Sequence, residues 1–251
     1  LFETALGEGA KGLCICDTVG HATPDGVRNI LGWVRRTVGE LGYPDTVIDW
    51  HGHNDRGMAV ANALWAIEAG ADRIHGTALG IGERVGNCSM DQLIVNLKLL
   101  GVLGEQDVSQ LMLYCQLAAR ACGYPIPKNY PVVGKDAFRT ATGVHAAAII
   151  KADRKGYSEL VDQVYSGVPA GMFGRHQEIE IGFMSGKANV IYWLQHRHVE
   201  PTTELVEAVL AKGKQSNRIL TDEEVWALVR IHIPGTRPRP PVQEDEQLGY
   251  I

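Results

Sequence analysis

Several features are scarce or absent in this 251-residue sequence. No apolar run approaches the ~20 residues of a membrane-spanning helix, so no membrane span is expected. No block of Lys and Arg interrupts a formal net charge of -5, which argues against a nucleic-acid partner. The opening residues, LFETALGEGA, have neither the basic start nor the apolar core of a secretory leader. The five cysteines, Cys14, Cys16, Cys88, Cys115 and Cys122, are odd in number and scattered over core-like segments. They read as reduced thiols of a cytoplasmic protein, with Cys14 and Cys16 better explained by packing than by metal binding. No GxGxxG follows the first strand-like segment, which removes the usual dinucleotide argument. There is no initial Met, and the first residues already read as a helix, so the chain is expected to be part of something longer.

What is present is an ordinary globular balance, 45% hydrophobic, with alternating strand and helix patterns. GLCICD (12–17), TVIDWHGH (46–53) and RIHGTAL (73–79) read as buried strands. Helices are predicted over about 24–41, behind Thr23 as N-cap and Pro24 at the first position, and over about 58–69. A third is predicted over SMDQLIVNLKLLG, with Ser89 and Gln92 as a capping box. ALGEGAKGLCIC (5–16) and AIEAGADRIHGT (66–77) echo each other at an offset of 61 residues. That offset spans two βα units of about 30 residues each, and such units imply a parallel sheet, either open or a (β/α)8 barrel. After Gly104 the alternation ends. Helices are predicted over 105–122, 137–152, 186–198, 202–213 and 222–231, the last behind a Thr221–Glu224 capping box. The segmentation is thus 1–104 as βα units, 105–134 as helix and Pro-rich linker, 135–231 as helical subdomains, and 232–251 as a loose tail.

The polar residues gather at strand ends. His51 and His53, two apart on one strand, point to one face and are able to chelate a divalent ion. For that pair alone, hydrogen-bonded structural histidines are an equal reading. The Gly-rich GIGERVGN after the third strand brings Glu83, Arg84 and Asn87, and a carboxamide oxygen suits a hard or borderline cation. Asp17 and Thr18 end the first strand in the same manner. In a barrel these ends form the catalytic face.

The stretch HGHNDRGMAVANALWAIEAGADRIHGTALGIGERVGNCSMDQL, with DTVGHATP before it, resembles the acyl-CoA-condensing synthases of the DRE-TIM metallolyase group. These include 2-isopropylmalate, homocitrate and citramalate synthases. PIPKNYPVVGKDAFRTATGVHAAAIIKA and MSGKAN are similar to their helical subdomains, and the likeness covers most of residues 1–195. The resemblance implies the last three βα units of a (β/α)8 TIM barrel followed by a mostly helical C-terminal region. It implies metal-assisted Claisen condensation of acetyl-CoA with a 2-oxo acid, 2-oxoisovalerate favoured, releasing CoA. His51, His53 and Asn87 match the metal-ligand positions, for Mg2+, Mn2+ or Zn2+. Asn54 and Asp55 look like groups that orient those ligands. Glu83 and Arg84 look like polarising or structural neighbours, and Glu83 is a candidate catalytic residue. His145 matches a proton-transfer histidine and Tyr165 a looser companion; both are implied to reach the other subunit of a homodimer. Thr77 and Asp17 are candidate substrate-binding residues.

The likeness has departures. The family's first-strand motif, with an aspartate ligand and an arginine, is not in this chain, nor is the glutamate partner of the proton relay. The family's SGxHxDG reads ATGVHAAA here, and the leucine-binding regulatory domain of many relatives is not seen. The chain is therefore expected to be inactive alone and to need an N-terminal barrel half. Rival readings are a homocitrate or citramalate synthase, a lyase of the HMG-CoA-lyase kind cleaving C–C bonds, and a non-catalytic partner subunit.

Overall fold

The computed structural model describes residues 1–240; the predicted tail over 232–251 lies partly outside the described residues. The chain forms two units, Leu1–Gly134 and a second that begins at Lys135. Among the described residues no helix is long and apolar enough to cross a membrane.

The first unit is α/β. Helix α1 (Phe2–Gly7) leads into β1 (Gly12–Asp17), followed by α2 (Pro24–Glu40), β2 (Val47–Gly52), α3 (Ala59–Glu68) and β3 (Arg73–His75). The strands are all parallel, in the order β1-β2-β3. Local chemistry explains the helices. The Thr23 hydroxyl accepts the Gly26 N–H at 3.2 Å and Pro24 opens α2, satisfying orphan donors of the first turn. Val27, Leu31, Val34 and Val38 come next at helical spacing, and each is fully buried. They meet Leu13, Ile48, Trp50 and Ala66 in one core, with Ile15 and Ile74 at its margin. Each such aliphatic burial stabilises by roughly 1.5–3 kcal/mol. In α3 the buried positions are Ala59, Asn62, Ala63 and Ala66, and the three alanines let that helix approach closely.

The two ends of the strands are fastened differently. At the N-terminal ends, Arg35 of α2 donates to the carbonyls of Thr46 (2.8 Å) and Gly70 (2.6 and 3.0 Å) and pairs with Asp72. Asp72 in turn accepts the Ile48 N–H at 2.7 Å. One side chain thereby binds the chain segments entering β2 and β3.

The structure departs from the sequence expectations at three places in this unit. The third strand, expected over 73–79, stops at His75 and gives way to a 3-10 turn at Ala78–Gly80. Leu79 there has φ +57°, a conformation no strand accommodates. Helix α4 (Met90–Leu99) begins after Ser89, but the Ser89 hydroxyl makes no capping bond. It lies against Gly80 instead, 2.6 Å from where a Cβ would sit. Helix α5 (Leu111–Cys122) starts later than expected, because the Asp107 carboxylate accepts the Ser109 N–H (2.8 Å) and turns the chain first.

The second unit is mostly helical: α6 (Gly143–Asp153), α7 (Ser158–Gln163), α8 (Lys187–Gln195), α9 (Thr203–Gln215) and α10 (Asp222–His232). A short parallel pair, β4 (Arg139–Thr140) and β5 (Glu178–Ile179), occupies part of the predicted 137–152 helix, so α6 begins later. Buried Ser185 and Asn189 satisfy the carbonyls of Ala141 and Glu180 at 2.7–3.3 Å. Trp193 and Trp226 meet edge to face at 5.6 Å in a core shared by α8, α9 and α10. The Thr221–Glu224 capping box predicted for α10 is present.

This packing sets two expected outcomes. Leu31→Ala, which empties a fully buried site, should lower unfolding free energy by about 3 kcal/mol in urea denaturation. The Arg218 guanidinium and the Thr221 N–H hold the Glu224 carboxylate down at about 2. A lowered folded pKa gives stability that is present above the unfolded glutamate value and lost as pH falls toward 2. Side-chain carboxyl NMR should show Glu224 titrating near that value, and the cap at the start of α10 should loosen in the same range.

Candidate active site at the strand ends

The pleat of the first sheet divides its residues between two faces. Ile15, Trp50 and Ile74 point into the helical core. The alternate positions form two rows across the sheet. Cys14 pairs with Asp49 and Asp49 with Arg73; Cys16 pairs with His51 and His51 with His75. Asp49, only 8% exposed, accepts two bonds from Arg73 (2.7 and 3.0 Å) and lies 3.3 Å from His75 Nε2. The Arg73 guanidinium holds its carboxyl below the usual aspartate range. Cys14 Sγ lies 3.6 Å from Cys16 Sγ and 3.9 Å from His75 Nδ1; burial and the neighbouring Cys16 push the Cys14 thiol up to about 11.

Beyond the sheet, three loops converge. The His53 N–H bonds the Asp17 carbonyl (3.2 Å), and the Asn54 N–H bonds the Gly86 carbonyl (2.9 Å). The Cys88 N–H bonds the Gly52 carbonyl (3.2 Å), and His53 and Asn87 face each other in an antiparallel bridge. Arg84 fastens the whole. Its guanidinium chelates Asp55 (2.9 and 3.1 Å) and donates to the Thr18 carbonyl at 2.7 Å, reaching the loops after β1 and β2 from the loop after β3. The loops touch so closely that Gly20 (φ +59°) has no room for a Cβ, which would lie 2.6 Å from the Asp55 nitrogen. Gly86 (φ +91°) is excluded likewise, with a Cβ 1.9 Å from the Gly80 carbonyl oxygen.

His51 and His53 have ring centroids 5.2 Å apart at 87°. Two imidazoles bound side by side to one ion, each nitrogen at ~2.0–2.1 Å, have centroids roughly 5 Å apart. Burial, then the neighbouring His53 and His75, lower the His51 pKa and favour its neutral, ligating form. Two buried polar atoms here have no hydrogen-bond partner: His53 Nδ1 and Asn87 Oδ1. Such atoms are costly to bury unless something pairs with them. They belong to the two bridged residues, so this donor set fits a divalent cation. It is a small set: among the described residues no three His, Cys, Asp or Glu side chains gather to hold a metal. A cation here would rest on two imidazoles and one carboxamide from this chain.

The other predicted residues occupy varied places. Both Asp17 oxygens accept backbone N–H groups, from His21 (2.9 Å) and Ala22 (3.0 Å), so the carboxylate shapes its own turn. The Thr77 hydroxyl donates to the Ile81 carbonyl at 2.7 Å, and a substrate oxygen would compete for that proton. Glu83 projects outward, its side chain 83% exposed, in a loose 3.7 Å pair with Arg84. Asn54 Oδ1 accepts the Ala59 N–H (3.1 Å) at the start of α3. His145 and Tyr165 lie in the second unit and stack on each other at 4.1 Å and 26°. No local motif in the sequence marks Asp49, Arg73 or His75 as site residues. Asp49 and His51 share the period-two signal, but only strand register brings Arg73 and His75 beside them.

Residues 1–117 match the HMGL-like family model. The chain is 34% identical over 235 residues to homocitrate synthase AksA of Methanopyrus kandleri, covering 92% of this chain and 55% of that protein. It is 32% identical over 220 residues to (R)-citramalate synthase of Aquifex aeolicus, covering 86% of this chain and 39% of that protein. Homocitrate synthase of Saccharolobus islandicus is 32% identical over 245 residues, 96% of this chain and 50% of that protein. The chain thus spans about half the length of these relatives.

The Arg84 fork leads to a direct expectation. Arg84→Lys keeps the charge but cannot chelate Asp55 and reach Thr18 together. Amide exchange in the loops 18–22 and 53–57 should quicken several-fold, while β1 and β2 exchange as before.

Proposed function

We propose that this chain, whose residues 1–117 match the HMGL-like family model and which is similar to homocitrate and citramalate synthases, forms the metal-holding and proton-handling portion of an enzyme joining acetyl-CoA to a 2-oxo acid. One observation carries this reading: His53 Nδ1 and Asn87 Oδ1, buried without partners on bridged residues, beside the His51 ring.

On this reading β1, β2 and β3 are the last three staves of a (β/α)8 barrel. Purely parallel sheets are normally covered on both faces, whereas here α2 and α3 account for one. The Cys14–Asp49–Arg73 and Cys16–His51–His75 rows then line the barrel interior. The remaining staves come from an N-terminal half, and the chain alone is inactive. His51, His53 and Asn87 hold a divalent cation, which when bound supplies Lewis acidity at the ketone of the oxo acid. Arg84 and Asp55 hold the loops carrying His53 and Asn87 in register beside His51 of β2. Asn54 anchors the loop to α3. His145, oriented by its stack on Tyr165, handles the proton lost from the methyl group of acetyl-CoA, acting on the site of a second subunit. The resulting carbon nucleophile attacks the ketone, and water then releases CoA. The relatives are named for homocitrate and citramalate, products that derive from 2-oxoglutarate and pyruvate. These two acids and 2-oxoisovalerate are the substrates to compare.

Mn2+ binding to the chain tests the site. His51→Ala, His53→Ala and Asn87→Ala should each weaken binding by at least about tenfold. Unchanged binding in all three would place the ion elsewhere. With an N-terminal half supplied, acetyl-CoA and one of the three oxo acids should give thiol release that His145→Ala suppresses. No thiol release with any of them would refute the condensing activity.

A further inference from the structure

The Gly-rich loop that carries Asn87 begins in a strained conformation. Leu79 has φ +57° and ψ 12°, and Gly80 comes next with φ +68°. Two consecutive left-handed residues reverse the chain directly after β3. Glycine accepts this freely, but leucine does not, because its Cβ crowds the neighbouring carbonyl oxygen. Leu79 is only 5% exposed, so its backbone N–H needs a protein partner. That partner is the carboxylate of Asp91, 2% exposed in the first turn of α4, whose Oδ1 accepts the Leu79 N–H at 2.6 Å. Asp91 sits in the interior, and that burial pushes its carboxyl above the usual range.

The turn so fixed sets the path of residues 80–87. The Gly80 carbonyl accepts the Asn87 N–H at 2.9 Å, and the Ile81 carbonyl receives the Asn87 amide (3.3 Å) and the Thr77 hydroxyl (2.7 Å). The side-chain amide of Asn87 is thereby turned so that its nitrogen bonds Ile81 and its oxygen is left without a partner. A carboxamide can ligate a cation only through that oxygen.

We propose that Asp91 is a positioning residue: by holding Leu79 in the left-handed conformation it fixes the loop that presents the Asn87 oxygen beside His53. The proposal rests on the reading of His51, His53 and Asn87 as a cation site, and it gives Asp91 an active-site task although it touches neither ion nor substrate.

Three variants test it, each read by amide exchange of the metal-free chain and by Mn2+ affinity. Asp91→Asn keeps an oxygen for the Leu79 N–H and should behave as the parent in both. Asp91→Ala removes the acceptor; exchange across 80–88 should quicken about tenfold while β1 and α2 are unchanged, and Mn2+ binding should weaken about tenfold. Leu79→Gly added to Asp91→Ala removes the Cβ cost of the left-handed turn and should recover most of both losses. Unchanged exchange across 80–88 in Asp91→Ala would overturn the proposal. So would uniform loosening of the whole first unit, or no recovery in the double variant. A parent chain that binds no Mn2+ would refute the cation site itself, and the exchange data would still decide whether Asp91 sets the loop.

Discussion

The first unit depends on the pleat of a single strand. In β2, Ile48 and Trp50 enter the helical core while Asp49 and His51 face the other way, and the run continues to His53. A slip of one residue would bury the imidazoles against α2 and expose the tryptophan. The hydrophobic demand of Ile48 and Trp50 therefore fixes where the polar groups point. The parallel register then adds Cys16 and His75 to the row of His51, and Cys14 and Arg73 to the row of Asp49. Core formation and site assembly are one event in this sheet.

Beyond the strands, the site depends on hydrogen bonds between loops rather than on packing. His53 hangs from Asp17, Asn54 from Gly86, and Asn87 from Gly80. Two carboxylates brace the arrangement from different sides, Asp55 through Arg84 and Asp91 through Leu79. Of the four non-glycine residues with positive φ among those described, two, Leu79 and Arg84, lie in this one loop. Strain of that kind persists where the surroundings over-determine the backbone, which is a common property of functional sites.

How much of this was legible in the sequence depended on range. The amphipathic spacing of Val27, Leu31, Val34 and Val38, the Thr23 cap and the Thr221–Glu224 box are local signals, and each element stands where the pattern put it. The His51–His53 pair was visible because two residues on one strand share a face. Arg73 and His75 were not, since only pairing across the sheet brings them to Asp49 and His51. The third strand read as too long because RIHGTAL is apolar enough to pass for one; the left-handed turn at Leu79 is imposed by Asp91, twelve residues on. Ser89 read as a capping hydroxyl, but the close approach of Gly80 gives it a different neighbour. The short β4–β5 pair joins segments almost 40 residues apart, and nothing local announces it.

Arg35 and Arg84 sit at opposite poles of the same sheet, one gathering the segments that enter the strands and the other those that leave. The anchorage that maintains the scaffold is thus physically separate from the anchorage that aims His53 and Asn87. Loops at the exit pole are free to diverge in length and chemistry without loosening the entry pole. A lineage built on this sheet can rework one end of it while its foundations stay unaltered.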